Sequence, residues 1–122
     1  MPSIPGGVPA ALGRVSITTA TTPETILKNF ADVDTEAERV SSAWSSKAKS
    51  ILVQALSTNT GIVYVGKTGM VVSSGVGVLA ELAAGQSIVI SAGDNYNLLN
   101  LADFQLDVSV SAESAYVSAI QV

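Results

Sequence analysis

The sequence predicts an all-β protein: an antiparallel β-sandwich or jelly-roll-like single domain with an extended N-terminal arm. Three observations lead to this fold class. The length of 122 residues suits one domain. Short β-prone runs recur between turn residues from Arg14 to the end of the chain. Apolar and polar residues alternate within residues 102–110, as they do when one face of a strand is buried.

The N-terminal segment, residues 1–13, has a composition of its own. It contains three of the four prolines and three glycines. Proline breaks helices and cannot donate a hydrogen bond in the middle of a sheet. We therefore expect an extended N-terminal arm over 1–13 and a β-sandwich domain over 14–122. Chain ends of this kind usually fray, and the alternative is that the arm lies across a neighbouring subunit.

The strands of the domain can be placed from the apolar runs. The first run holds Val15, Ile17 and Thr19, and a weaker one opens at Ile26 and Leu27. The remaining runs are 50–56, 61–66, 70–73, 87–91, 102–110 and 115–122. The sequences STNT, AGDN and SAES are expected as turns, and the run at 70–73 continues beyond KTG. We expect a β-meander in which the last two strands form a terminal hairpin.

Residues 32–44, with the sequence DVDTEAERVSSAW, allow two interpretations. Thr35 followed by Glu38 forms a capping-box pattern, and Val40 and Trp44 are spaced by four, which together predict a short helix. The alternative is an acidic loop that leads into a brief edge strand. Sequence patterns of this length do not decide between the two.

A glycine motif follows in MVVSSGVGVLAELAAG. Gly75, Gly77 and Ala80 have the GxGxxA spacing of dinucleotide-binding loops, and Asp94 lies near the distance expected for a ribose contact. A helix after these glycines could run only over 78–84, which is too short for the crossover that parallel strands need. We therefore interpret the segment as a glycine-rich loop or bulge that leads to the strand at 87–91.

The residue types argue against an enzyme. The chain contains no histidine and no cysteine, so it has neither the commonest general base nor a thiolate nucleophile or metal ligand. The densest acidic group consists of Asp32, Asp34, Glu36 and Glu38. A calcium loop of the EF-hand type would require Gly and Glu where this chain has Ala37 and Ala43. We expect no catalytic, cofactor or metal site.

Charge and hydropathy limit the partners. The formal net charge is -4 and no basic cluster occurs, so we expect no nucleic-acid binding. No apolar run is long enough to span a bilayer and the N-terminus does not resemble a secretory signal, so we expect no membrane partner. Charged residues make up only 13% of the chain, which indicates that another subunit covers part of the surface. The aromatic residues Trp44, Tyr64, Tyr96 and Tyr116 leave a carbohydrate platform as an alternative.

The last part of the chain resembles a known group of proteins. The stretch SILVQALSTNTGIVYVGKTGMVVSSGVGVLAELAAGQSIVI, followed by NLADFQLDVSVSAESAYVSAIQV, resembles small phage virion proteins with a β-sandwich or jelly-roll body. The similar features are the "QAL" strand end, the "NTG.VYVG" turn and strand, the "LAAGQS" approach and the final pair of strands. The resemblance covers roughly the last 70 residues.

The resemblance implies a structural role in a phage particle. It suggests a capsid decoration or cement subunit, made in the host cytoplasm and carried on the capsid surface of the virion. The implied partners are the major capsid protein and copies of the chain itself, as a homotrimer. Tail, head-fibre or connector-associated subunits have the same sequence character and remain an alternative. A carbohydrate-binding module displayed on the particle is the alternative from another functional class.

Overall fold

The computed structural model describes residues 8–27, 47–92 and 98–121, and these form an all-β structure. The strands are β1 (Val8–Ser16), β2 (Glu24–Thr25), β3 (Lys47–Ala55), β4 (Val63–Val71), β5 (Val76–Leu82), β6 (Ser87–Ser91), β7 (Leu99–Asn100), β8 (Phe104–Val108) and β9 (Ser114–Gln121). A 3-10 turn, Leu101–Asp103, precedes β8. The predicted all-β class is confirmed.

The strands form two antiparallel sheets. Sheet I has the order β1-β9-β3-β6, with the short β7 also paired to β3, and sheet II has the order β2-β8-β4-β5. The chain passes from one sheet to the other at most of its connections, and β4 and β5 form a hairpin within sheet II. If β7 is set aside, the remaining eight strands have the order of a jelly roll. The predicted sandwich is confirmed.

The core lies between the two sheets and explains the alternating pattern. On β3, Ile51 and Val53 are fully buried while Leu52 between them is exposed. Each fully buried aliphatic side chain contributes about 1.5–3 kcal/mol to folding. The larger buried aliphatic residues of the core are Val15, Ile17, Ile26, Ile51, Val53, Val63, Val65, Leu82, Leu101, Leu106, Val108 and Val117. Both sheets supply them, as a sandwich requires.

The expected terminal hairpin is wrong. Strand β8 lies in sheet II between β2 and β4, and β9 lies in sheet I between β1 and β3. The loop between them connects one sheet to the other, and Leu106 and Val117 are buried from opposite sheets. Alternation along a strand shows which face is buried, and it does not show which strand is the neighbour.

The glycine segment forms a strand. Residues 76–82 are β5, which pairs with β4, so both the helix over 78–84 and the loop interpretation are corrected there. At the start of this segment the interpretation as a loop or bulge holds. Gly75 and Gly77 have φ of 80° and 74°, and the register between β4 and β5 shifts nearby. Strand pairing overrides the helix propensity of the LAEL sequence.

The described part of the expected N-terminal arm belongs to sheet I. Residues 8–13 are extended, as predicted, but they form the first part of β1 and pair with β9. Pro9 is tolerated because β1 is an edge strand. A bulge lies between Ala11 and Gly13, where Gly13 has a φ of 90°. Residues 32–44, for which the sequence allowed two interpretations, lie outside the described residues.

Candidate functional site

The outer surface of sheet I is the first candidate site. The side chains of β3, β6 and β9 that alternate with core residues point away from the core on this side. They are Ser50, Leu52, Gln54, Ser87, Val89, Ser91, Tyr116, Ser118 and Ile120. None of these nine residues is charged. We call this set the uncharged face.

The apolar members of the uncharged face are open to solvent. Tyr116 is 53% exposed, Val89 60% and Leu52 39%. Leu52 is directly opposite Val89, so these two apolar side chains adjoin across the strands, and Ser118 is opposite Leu52 on the other side. A shallow depression of about 230 Å³ lies between Leu52 and Ile120. Contiguous exposed apolar area with no charge is typical of a surface that contacts another protein.

Charged residues lie beside the uncharged face. Arg14 on β1 is opposite Tyr116, and Lys47 is opposite Asn100 at the far end of β3. Lys49 occupies the irregular position between Ala48 and Ser50. A face with an apolar centre and a polar border has the layout of a protein interface.

A pocket on the outer side of sheet II is the second candidate site. It has a volume of about 360 Å³ and is lined by Thr21, Pro23, Met70, Val71, Val72, Ser73 and Asp107. Asp107 points away from the core, because Leu106 and Val108 on either side belong to the core cluster. It is nevertheless only 1% exposed, since the two lining segments cover it.

The Asp107 carboxylate can accept hydrogen bonds from a bound molecule. Its Oδ1 accepts from the backbone N–H of Val108 at 2.8 Å, and the described residues give Oδ2 no donor. A buried carboxylate oxygen without a donor is unfavourable, so a hydroxyl, an amine or a water molecule would be stabilised there. Within the described ranges, no group of three or more His, Cys, Asp or Glu residues could hold a metal ion.

The pocket also contains an unusual backbone conformation. Thr21 has a φ of 66°, in the left-handed region that β-branched residues avoid. Its N–H donates to the carbonyl of Val108 at 3.3 Å, and the N–H of Ala20 donates to Ser111 Oγ at 2.9 Å. These bonds hold the cover of the pocket in place. Strained backbone of this kind is a feature of both functional sites and tightly anchored loops.

Glu113 joins two loops at one end of the sandwich. Its Oε2 accepts from the Thr60 N–H at 2.6 Å and from Thr60 Oγ1 at 3.0 Å, and its Oε1 accepts from the Gly61 N–H at 2.8 Å. The hydrogen bond from the Thr60 N–H lowers the pKa of Glu113 most. Partial desolvation opposes this effect and the bond from Gly61 adds to it. This carboxylate has a structural role, because its hydrogen bonds to Thr60 and Gly61 hold the turn at the STNT sequence in place.

The residues considered for carbohydrate or nucleotide binding do not form one site. Tyr64 points outward from sheet II and Tyr116 outward from sheet I, so these two rings cannot belong to one platform. Gly75 and Gly77 lie at the β4–β5 hairpin, where a strand follows them in place of the helix that a dinucleotide would need. Trp44, Tyr96, Asp94 and the acidic group at 32–38 lie outside the described residues.

Sequence reasoning missed Asp107. In the alternating run at 102–110 it occupies a position of the polar face, which predicts a solvated side chain. The segments that bury it, at 21–23 and 70–73, are distant in sequence. No local signal identifies such a residue, because its burial depends on how loops fold over the outer side of the sheet.

Comparisons with known proteins found no relatives. No family model matches the chain, and the searches of curated proteins and of solved structures found no match either. Within the described residues, no helix is long and apolar enough to cross a membrane. The class that the structure defines is therefore that of a two-sheet antiparallel sandwich. Because one fold serves many functions, the function must be inferred from the surfaces of the molecule and not from the fold alone.

Proposed function

We propose that this protein is a non-enzymatic structural subunit of a phage virion that decorates or cements the capsid. The observation that supports it best is the uncharged face, where Leu52, Val89 and Tyr116 are exposed without a charged neighbour among the nine residues. A surface of this composition suits a lasting protein contact. The assignment to a phage particle comes from the sequence resemblance to small phage virion proteins. The proposed partners are the major capsid protein and copies of the chain itself, and the resemblance implies a homotrimer.

The mechanism of a cement subunit is stabilisation by mass action. A protein that binds the assembled shell and not its free subunits raises the stability of the shell by an amount that grows with its free concentration. A standard protein interface buries about 1,600 Å² in total, or about 800 Å² on each partner. Flat sheet faces can supply such area without any reactive group.

The test is direct binding to the particle. The purified protein is mixed with capsids that lack it, the particles are sedimented, and bound copies are counted while the capsid melting temperature is followed. Stoichiometric binding with a raised melting temperature is expected. A lack of binding to capsids would refute the capsid proposal and direct the same assay to tails, head fibres and connectors, which form the first alternative.

A pair of variants tests the role of the uncharged face. Tyr116→Lys places a charge on the face, and we expect it to weaken capsid binding at least tenfold, which corresponds to about 1.4 kcal/mol. Leu79→Lys is the matched control, because Leu79 is 49% exposed but lies on β5 of the other sheet. Equal loss in both variants would contradict the assignment of this face.

The second candidate function is carbohydrate binding, and one observation favours it. The buried Asp107 carboxylate lines the pocket on sheet II, and one of its oxygens receives no hydrogen bond from the described residues, which suits a site for sugar hydroxyl groups. Binding on a glycan array that disappears in Asp107→Asn, with the fold preserved, would support this function. An array without signal for the native protein would refute it.

A further inference from the structure

Strand β6 forms an open edge of sheet I. It pairs with β3 on one side, and no strand within the described residues pairs with its other side. The Ala55 N–H donates to the Gln86 carbonyl and the Ala92 N–H donates to the Lys49 carbonyl, each at 2.9 Å. Because hydrogen-bonded and non-hydrogen-bonded pairs alternate in an antiparallel ladder, these two bonds fix the direction of every backbone group along β6.

The backbone groups of β6 that no described strand pairs with belong to alternate residues. Ile88 and Ile90 form the hydrogen-bonded pairs with β3, opposite Val53 and Ile51. The N–H and C=O groups of Ser87, Val89 and Ser91 therefore point away from β3 and toward the open edge. Such a row of donors and acceptors is a template for another strand.

The other edges of the two sheets carry features that discourage pairing, and β6 does not. Strand β1 contains Pro9 and a bulge between Ala11 and Gly13. Strand β2 has only two residues, and β5 has two register shifts against β4 and carries Glu81. Strand β6 has the sequence SIVIS, with no charge, no proline and a continuous register against β3. Natural proteins protect edges with the features that β6 lacks.

We propose that β6 pairs antiparallel with β6 of a second copy of this chain, about a two-fold axis at Val89. The sequence SIVIS reads the same in both directions. With Val89 opposite its own copy, Ser87 is opposite Ser91 and Ile88 is opposite Ile90. All three residues with outward backbone groups then form hydrogen-bonded pairs, and each pair exchanges two bonds. A shift of this register leaves part of the row unpaired.

The side chains fit the same pairing. Ile88 and Ile90 are only partly buried although they pack against the core, because they lie at its open side. In the pair, each copy covers these residues with the corresponding residues of its partner. Val89 is 60% exposed and becomes the centre of one surface that joins the uncharged faces of both copies. The interface thus extends both the sheet and the core.

This inference is independent of the proposed capsid role. It rests on the edge of β6 and its test measures the free protein, whereas the capsid proposal is tested on particles. It also predicts a symmetry. A contact between identical antiparallel edges is complete with two copies, so it produces a dimer and not a closed ring of three. A homotrimer would have to form through another surface.

Molecular mass in solution tests the pairing. Light scattering of the purified native chain is expected to give twice the 12.4 kDa of one chain. Val89→Lys places two ammonium groups opposite each other at the axis, and we expect it to halve the measured mass. Val76→Lys is the matched control, since Val76 is 59% exposed on β5 and the mass is expected to stay that of the dimer. A monomeric or trimeric native protein would overturn the proposal, as would a Val89→Lys variant that stays dimeric.

Cross-linking tests the register and does not depend on the behaviour of the lysine variant. The chain contains no cysteine, so Val89→Cys introduces its only thiol. Directly opposite residues in a hydrogen-bonded pair have Cα atoms about 5.5 Å apart, which is within the range of a disulfide. Mild oxidation should give a covalent dimer with Val89→Cys and none with Val76→Cys. A lack of cross-linking in a folded Val89→Cys variant would overturn the pairing at Val89.

Discussion

Replacement of Glu113 by glutamine tests the connection between the two end loops. The carboxylate accepts from the Thr60 N–H and hydroxyl through one oxygen and from the Gly61 N–H through the other. Glutamine keeps one acceptor oxygen and turns an NH₂ group toward the remaining N–H. One backbone donor then loses its partner and the charge that strengthens the other bonds is gone.

The expected loss of stability follows from the number of hydrogen bonds that Glu113 accepts and from their exposure to water. Hydrogen bonds to charged groups contribute about 1.5–3 kcal/mol when they are shielded from water. The site lies at the surface, so water replaces part of the loss and we expect Glu113→Gln to destabilise the protein by about 1–2 kcal/mol. For a domain of this size, that corresponds to a fall in Tm of roughly 3–12 °C. Urea unfolding of both proteins at neutral pH measures it. Glu81→Gln on the exposed part of β5 is the control, with an expected change within about 0.5 kcal/mol.

The pH dependence has a defined sign. The pKa of Glu113 is lowered from its ordinary value of 4.5 by the hydrogen bonds from Thr60 and Gly61. A carboxylate with a lowered pKa in the folded state stabilises the protein above its unfolded pKa, and this contribution is lost as the pH falls through the folded value. The difference between the native protein and Glu113→Gln should therefore shrink below pH 4.5. A difference that stays constant from neutral to acid pH would refute the assigned role of the charge.

Three further substitutions test the packing and the backbone. Leu106→Ala removes a fully buried side chain from the core and should destabilise by about 2–5 kcal/mol in urea unfolding. Gly66→Ala places a methyl group against the sulfur of Met70 and the carbonyl of Gly77, so we expect a loss of about 1–3 kcal/mol by the same measurement. Ala112 has a φ of 70°, and Ala112→Gly should raise the Tm through a gain of about 0.5 kcal/mol, since relief of the left-handed conformation exceeds the added entropy of the unfolded chain. A lower Tm for that variant would contradict the argument.

The sequence predicted the faces of strands better than their partners. The alternation around Leu106 and Val108 correctly identified the side chains that face the core, and the runs at 50–56 and 87–91 correspond to β3 and β6. The sandwich follows from such patterns because only two layers can bury them all. Sheet order does not follow from them. The terminal hairpin was expected because β8 and β9 are consecutive, whereas the chain between them crosses to the other sheet.

The two candidate sites differ in how visible they are in the sequence. The low fraction of charged residues already indicated that part of the surface is covered. In the structure, one region without charged residues is the uncharged face, which lies on three neighbouring strands. The Asp107 pocket had no such signal, because the loop at Thr21 and the second half of β4 come together only in the fold. Composition predicts surface character, but convergence of distant segments requires the tertiary structure.

The contact proposed at β6 combines both kinds of information. The palindrome SIVIS is visible in the sequence, where it indicates no more than a short strand. It becomes a symmetric contact only because sheet order places β6 at an edge and because the ladder with β3 turns the backbone groups of Val89 outward. A shift of that ladder by one residue would turn the groups of Ile88 and Ile90 outward and move their side chains from the core to the outer face. The same five residues would then lose both the symmetric hydrogen-bonding row and the apolar cover, so the proposed dimer depends on the register as much as on the sequence.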